Sequence, residues 1–143
     1  MKKVTILCLW LLVSGTPLAM AGHTAAQNSD DAFQSFWQKF KTAVISGDKE
    51  TVAALSRFPI VMPHGVRSIK KSAELRQRYR EVFNKATNPA ECFAKAEPAK
   101  DTNNPKRFFV SCFDNLGYEI DYEFERTRMG WKFVQLEKTA LPD

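Results

Sequence analysis

Apolar residues along the chain follow two periods, and the change between them divides the sequence into a helical first part and a stranded second part. Phe33, Phe36, Trp37, Phe40 and Val44 recur three and four residues apart. That spacing puts four aromatics on one stripe of a helix expected to start after Asn28 or Ser29, with Asp30 and Asp31 at its positive end. The stripe stops at Gly47, which suits the left-handed position that closes a helix, and Asp48 can cap a shorter second helix carrying Val52 and Leu55. An apolar run at 58–63 contains Pro59 and Pro63 and reads as an edge strand, because proline cannot donate to a ladder. His64-Gly65 turns the chain, and 66–69 is expected to return as a second short strand. Ser72 can cap a third helix in which Leu75, Tyr79, Val82 and Phe83 share a face, ending near Asn84 ahead of Asn88-Pro89.

From residue 90 the period shortens to two. Residues 90–96 are expected as a strand, 98–106 as a loop rich in Asn, Asp and Pro, and 108–113 as a further strand, with turn chemistry in Asp114-Asn115-Leu116-Gly117. Tyr118, Ile120, Tyr122 and Phe124 then alternate with Glu119, Asp121, Glu123 and Glu125, giving one aromatic face and one acidic face. A tight turn at Met129-Gly130 leads into the last strand, 131–138. Residues opposite one another in an antiparallel hairpin share a constant sum of numbers. A two-residue loop at Met129-Gly130 therefore sets Arg128 against Trp131, Phe124 against Gln135 and Asp121 against Lys138. Trp131 and Phe133 then fall on the aromatic face, and Lys132 and Lys138 on the acidic face. A hairpin centred near Thr102 would likewise bring Cys92 opposite Cys112.

The first 21 residues follow neither period. Lys2 and Lys3 precede an uncharged run from Val4 to Val13, Gly15 and Pro17 break it, and Ala19 and Ala21 fit the small-x-small requirement of a signal peptidase. A membrane-spanning helix needs about twenty apolar residues, so a cleavable secretory signal is expected rather than an anchor. The expected organisation is a signal at 1–21, cleavage before Gly22, a flexible tail at 22–29 and a single α+β domain at 30–143, in the periplasm or secreted. No cysteine follows the cleavage site, so no lipid anchor is expected, and no Asn-x-Ser/Thr sequon occurs. With Cys8 removed, Cys92 and Cys112 form an even pair in an oxidising compartment. The default reading is one disulfide, with two free thiols or a metal site as the alternative.

The formal net charge is +5, and it falls when Lys2 and Lys3 leave with the signal; this is not the balance of a nucleic-acid binder. Arg67, Lys70, Lys71, Arg76, Arg78, Arg80 and Lys85 form a basic stretch. Arg76, Arg78 and Arg80 are its candidate docking face, for an acidic partner or surface; the other reading is a solvated helix side. His23 and His64 are the two histidines, and neither sits in a pattern that recruits a metal or a base. No Gly-rich phosphate loop, zinc spacing, serine elbow or paired-carboxylate motif occurs, so no cofactor and no metal are expected. Tyr118, Tyr122, Trp131 and Tyr79 are the candidate pocket residues, since aromatics with a polar tip suit mixed apolar and polar guests; the other reading is ordinary core.

The order helix, helix, short hairpin, helix and long antiparallel meander resembles the cone-shaped fold of the nuclear-transport-factor-2-like (cystatin-like) superfamily, over roughly residues 30–140. The stretch 36–59, FWQKFKTAVISGDKETVAALSRFP, and Trp131-Lys132-Phe133 in the last strand are similar to small exported bacterial members. The resemblance implies N-terminal helices packed in a curved antiparallel sheet, with a conical cavity that members use as an active site, a ligand pocket or a dimer face. Enzymes of the superfamily, such as ketosteroid isomerases and dehydratases, set an acidic or histidine base and a donor inside the cone. The inward positions assigned here, Tyr118, Ile120, Tyr122, Phe124 and Phe133, include no carboxylate. Three function classes stand open. The first is an exported non-enzymatic binding domain for a small apolar molecule or a protein partner. The second is an inhibitor or immunity protein, working from the basic face on an exported toxin or cell-wall enzyme. The third is a small isomerase, dehydratase or hydrolase using Tyr118, Tyr122 or Tyr79 as donor and His64 as base. Pairing of two copies through the open sheet face is a further implication of the fold.

Overall fold

The computed structural model of the chain describes residues 23–63, 65–83 and 88–139. The expected signal and its cleavage site lie outside these residues, as do His64, Asn84 and Lys85. Among the described residues no helix is long and apolar enough to cross a membrane.

The elements in order are α1 (His23–Ser46), α2 (Lys49–Ala54), β1 (Ser56–Val61), α3 (Ser72–Gln77), α4 (Tyr79–Phe83), α5 (Pro89–Lys95), β2 (Ala99–Lys100), β3 (Arg107–Phe113), β4 (Glu119–Thr127) and β5 (Gly130–Thr139). The strands form one unclosed sheet in the order β1-β5-β4-β3-β2, with the helices packed against it. This is the expected α+β cone, with one change: β1 runs parallel to β5, so the sheet is mixed rather than antiparallel. A hairpin would force antiparallel pairing, but the whole chain from α3 to β4 lies between β1 and β5 and serves as the crossover that parallel strands need. Pro59 does lie on an edge strand.

The aromatic stripe of α1 anchors the core. Phe33 stacks on Phe108 at 3.8 Å, Phe40 meets Phe124 edge-on at 5.1 Å, and Trp131 meets Phe33 edge-on at 4.9 Å. Each fully buried ring contributes on the order of 2 kcal/mol through area alone. The helix starts at His23, so residues 23–29, expected as a tail, are helical. Ser29 is not a cap; it is buried, and its hydroxyl accepts from Arg126 Nη1 at 3.0 Å, tying α1 to β4. Gly47 takes φ +69°, and Asp48 caps α2 by accepting from Thr51 N at 3.0 Å, as the sequence suggests.

Three further expectations need correction. The return strand at 66–69 is reduced to one bridge, in which Ile60 and Ile69 exchange both backbone hydrogen bonds. The third helix is two helices that break at Arg78, and its N-cap is Lys71, not Ser72. Arg78 is pinned on both sides of the break, by Glu74 at 3.0 Å and Glu81 at 2.7 Å, and the apolar face of Leu75, Tyr79, Val82 and Phe83 survives. Residues 90–96 are not a strand but lie mostly in helix α5. Asn88 accepts from Glu91 N as N-cap, Pro89 supplies the preset first turn, and Glu91 pairs with Lys95 one turn on. The Thr102-centred hairpin is therefore absent, and β2 pairs with β3 through Ala99 and Phe109. The Cys92–Cys112 disulfide forms nevertheless, with Cα atoms 5.9 Å apart, because α5 lies across β3 and turns Cys92 toward it.

The disulfide closes a separation of 20 residues, worth about 3 kcal/mol on the chain-entropy model. The double variant Cys92→Ala/Cys112→Ala should lose about that much in urea unfolding; a loss below about 1 kcal/mol would show that α5 holds to the sheet by packing alone.

Candidate functional site

β4 and β5 meet in a register that differs from the expected one. The loop is Arg128-Met129, with Thr127 opposite Gly130 and Phe124 opposite Phe133. Between Glu123 and Phe124 the register shifts: Glu123 faces Gln135, Val134 is passed over, and from there Tyr122 faces Leu136, Asp121 faces Glu137 and Ile120 faces Lys138. One extra residue in a strand moves every later side chain to the other face. Lys138 thus leaves the acidic face, where the sequence reading put it, and joins the inward one; Glu137 takes its place outside.

That exchange builds a cleft of about 590 Å³ at the end of the sheet away from the Arg128-Met129 loop, within the size range of small-molecule sites. Buried Ile120, Tyr122 and Leu136 form its floor. Met62, Pro63 and Val66 wall one side and Val82 another, while Leu116, 78% exposed, stands on the rim. The Tyr122 hydroxyl donates to the Val82 carbonyl at 3.3 Å, joining floor to wall.

Two carboxylates border the cleft, and both are engaged. Asp114 opens the turn before β4, where Gly117 takes φ +85°. Its Oδ1 accepts from the backbone N–H groups of Leu116 (2.8 Å) and Tyr118 (2.9 Å), and its Oδ2 from Lys138 Nζ (2.9 Å). Burial pushes the Asp114 carboxyl up, but the Lys138 ammonium and the two N–H groups outweigh it and hold the group below the usual carboxylate range. Lys138 also sits 4.0 Å over the Tyr118 ring. Glu81 accepts a bidentate pair from Arg78 Nη2 (2.7 Å) and Nε (2.8 Å).

The four candidate pocket residues are not brought together. Tyr122 lines the floor and Tyr118 stands beside the cleft under Lys138, 37% exposed. Tyr79 is buried against Phe83 at 4.9 Å, and its phenol is pushed up to about 12 by burial and by the charge of Asp48. Trp131 is core at the other end of the sheet, opposite Arg126 and packed on Phe33 and Phe108. His64 lies outside the described residues. The candidate basic face also divides. Arg76 pairs with Glu50 at 3.1 Å and with Ser72, Arg78 is held by Glu74, Glu81 and the Arg67 carbonyl, and Arg80 is exposed. Asp114, Lys138 and Leu136 were not among the candidates. The signal for the last two is a break of parity in the last strand: Trp131 and Phe133 are apolar at odd positions, Leu136 at an even one.

No family model matches the chain, and no curated protein matches it. Among solved structures it is similar to an NTF2-like protein with a cystatin-like fold from Novosphingobium aromaticivorans, at 15% identity and a TM-score of 0.49 over 86% of this chain and 92% of that one. It is also similar to an uncharacterised cystatin-like-fold protein from Caulobacter vibrioides (12%, TM-score 0.48, 80% and 91%). A third is a hexachlorocyclohexane dehydrochlorinase from Novosphingobium barchaimii (13%, TM-score 0.49, 81% and 89%). These are likenesses of fold. None speaks to what this chain binds or does.

The outer face gathers the carboxylates that Lys138 no longer answers. Asp121 lies opposite Glu137, and Glu123 is buried with Arg107 Nη1 3.2 Å away. Burial and a hydrogen bond shared with Glu137 push the Glu123 carboxyl up to about 7, against the pull of Arg107. Asp121 is raised by burial and by the charges of Glu119 and Glu137, against a hydrogen bond from Ser111. Between pH 4.5 and about 7 the folded state keeps a proton on Glu123 that the unfolded chain has released. This contribution to stability is therefore full below pH 4.5 and is lost as pH rises through 7. Glu123→Gln should flatten that decline and raise the melting temperature at pH 8 relative to the parent; parallel melting profiles from pH 4 to 8 would contradict it.

Proposed function

We propose that this chain is an exported, non-enzymatic binding domain whose cleft takes the apolar body of a small molecule. The observation that carries the reading is a cleft of about 590 Å³ floored by Ile120, Tyr122 and Leu136, whose bordering carboxylates, Asp114 and Glu81, are already paired with Lys138 and Arg78. A general base must be ready to accept a proton. Asp114 is held below the ordinary range and both oxygens of Glu81 are taken by the Nε–Nη2 edge of the Arg78 guanidinium, so what the cleft offers a guest is mainly apolar surface. Export is supported by the apolar opening of the chain, by Ala19 and Ala21, and by a disulfide of the kind that persists in oxidising compartments. Capture of a protein partner through Arg76, Arg78 and Arg80 has less support, because the first two are spent on Glu50, Glu74 and Glu81.

Rim residues allow a test that leaves the core intact, since Leu116 and Val66 are 78% and 40% exposed. The neutral dye N-phenyl-1-naphthylamine should bind the parent saturably with a gain of fluorescence. Leu116→Asp/Val66→Asp should weaken it about tenfold, equal to about 1.4 kcal/mol, with an unchanged melting temperature. Non-saturable binding, or equal affinity in the double variant, would overturn the reading.

A further inference from the structure

The cleft is apolar but not electrically neutral, and its charges differ in how far they reach a guest. Asp114 and Lys138 form one ion pair, yet the Asp114 side chain is 6% exposed and that of Lys138 is 36% exposed. The carboxylate is turned into its own turn, where two backbone N–H groups and the ammonium take up its lone pairs. The ammonium has three donors. One goes to Asp114 and one face is covered by the Tyr118 ring at 4.0 Å, which leaves a donor without a partner among the described residues, at the cleft's edge. On the other side, Glu81 belongs to a cluster in which Arg78, bidentate to it, and Arg67 balance Glu81 and Glu74, so its charge is compensated within that cluster. The exposed end of the site is therefore positive, next to a floor of Ile120, Tyr122 and Leu136.

From this arrangement we infer that the cleft selects molecules with an apolar body and a monoanionic head such as a carboxylate, the head being held by Lys138 and the body lying on the floor. Asp114 is the positioning residue: it fixes the ammonium through Oδ2 and the turn through Oδ1, and it does not touch the guest. A head bound by Lys138 replaces water on an ammonium with one face already covered by the Tyr118 ring, which makes the contact worth more than an ion pair on an open surface. A cationic head would meet the same ammonium and be repelled. The inference rests on the apolar-cleft reading and adds the chemistry of the polar end.

The test is a matched series with one aromatic body and three heads: 1-naphthylacetate, 2-(1-naphthyl)ethanol and 2-(1-naphthyl)ethylamine. Each is titrated into the full chain near pH 7 in about 0.15 M salt, where attraction to the overall net charge is screened beyond about 8 Å. The parent should bind the acid about tenfold more tightly than the alcohol, and the amine least. Lys138→Met leaves Asp114 charged and uncovered, so the order should invert, with the amine tightest. Lys138→Met/Asp114→Asn removes both charges and should erase the preference among the three heads. Equal binding of all three heads by the parent, or an acid preference that survives in Lys138→Met, would overturn the assignment of Lys138 while leaving an apolar cleft in place. Failure of all three to bind the parent would overturn the apolar-cleft reading and this inference with it.

Discussion

One residue, Val134, sets which side chains the last strand turns inward. The β4–β5 ladder runs in a single register from the Thr127–Gly130 pair to Phe124–Phe133 and in another from Glu123–Gln135 onward, and Val134 is the residue passed over between them. Before the shift, β5 presents Trp131 and Phe133 to the core; after it, Leu136 and Lys138 take the inward side. A strand without the bulge would send Glu137 into the cleft and Lys138 to the outer face. Core, cleft and outer acidic cluster are thus three results of one insertion, of the kind that bends and re-aims a strand.

The bulge can have this effect because the rest of the sheet is held firmly. α1 lays Phe33, Phe36, Trp37 and Phe40 against Phe108, Phe124 and Phe133, and the rings make stacked, edge-on and tilted contacts rather than a loose apolar filling. α5 closes the side of the cone through Trp37 to Phe93 at 5.1 Å and through the disulfide to β3. This aromatic packing fills the part of the sheet nearest the Arg128-Met129 loop. At the opposite end the floor is smaller, Ile120 and Leu136 beside Tyr122, and the space there stays open. The cone is therefore core at one end and cleft at the other, and Trp131 and Tyr122, both candidates for one pocket on sequence grounds, belong to different parts.

Much of this was legible in the sequence. The α1 stripe, the Gly47-Asp48 corner, the edge strand at Pro59 and the alternation of β4 all follow from residue type and spacing, because each is a local pattern whose burial leaves a periodic trace. The misreadings have equally local causes. Around Cys92 a short segment with one large apolar residue, Phe93, has no decisive period, and Asn88-Pro89, read as lying beyond the end of one helix, is the start of another. The disulfide did not depend on that choice, since a helix lying on β3 presents Cys92 as well as a paired strand would. The register of the last hairpin is the costlier miss. A constant-sum rule assumes an unbroken ladder, and only the loss of parity between Phe133 and Leu136 hinted otherwise. Asp114 was hidden for a different reason: as a turn residue its role looked complete, and its second oxygen found work only once the bulge delivered Lys138.

The placement of Lys138 can be observed without any ligand. In a nuclear Overhauser spectrum of the folded protein, the side-chain methylene protons nearest the Lys138 ammonium should show contacts to the Tyr118 ring and resonances shifted upfield by it, given an ammonium 4.0 Å above the ring centre. Contacts from Lys138 to Glu119 and Asp121 instead, with unshifted methylene resonances, would mean an unbroken ladder without the Val134 bulge, and the cleft described here would lose its charge and its shape.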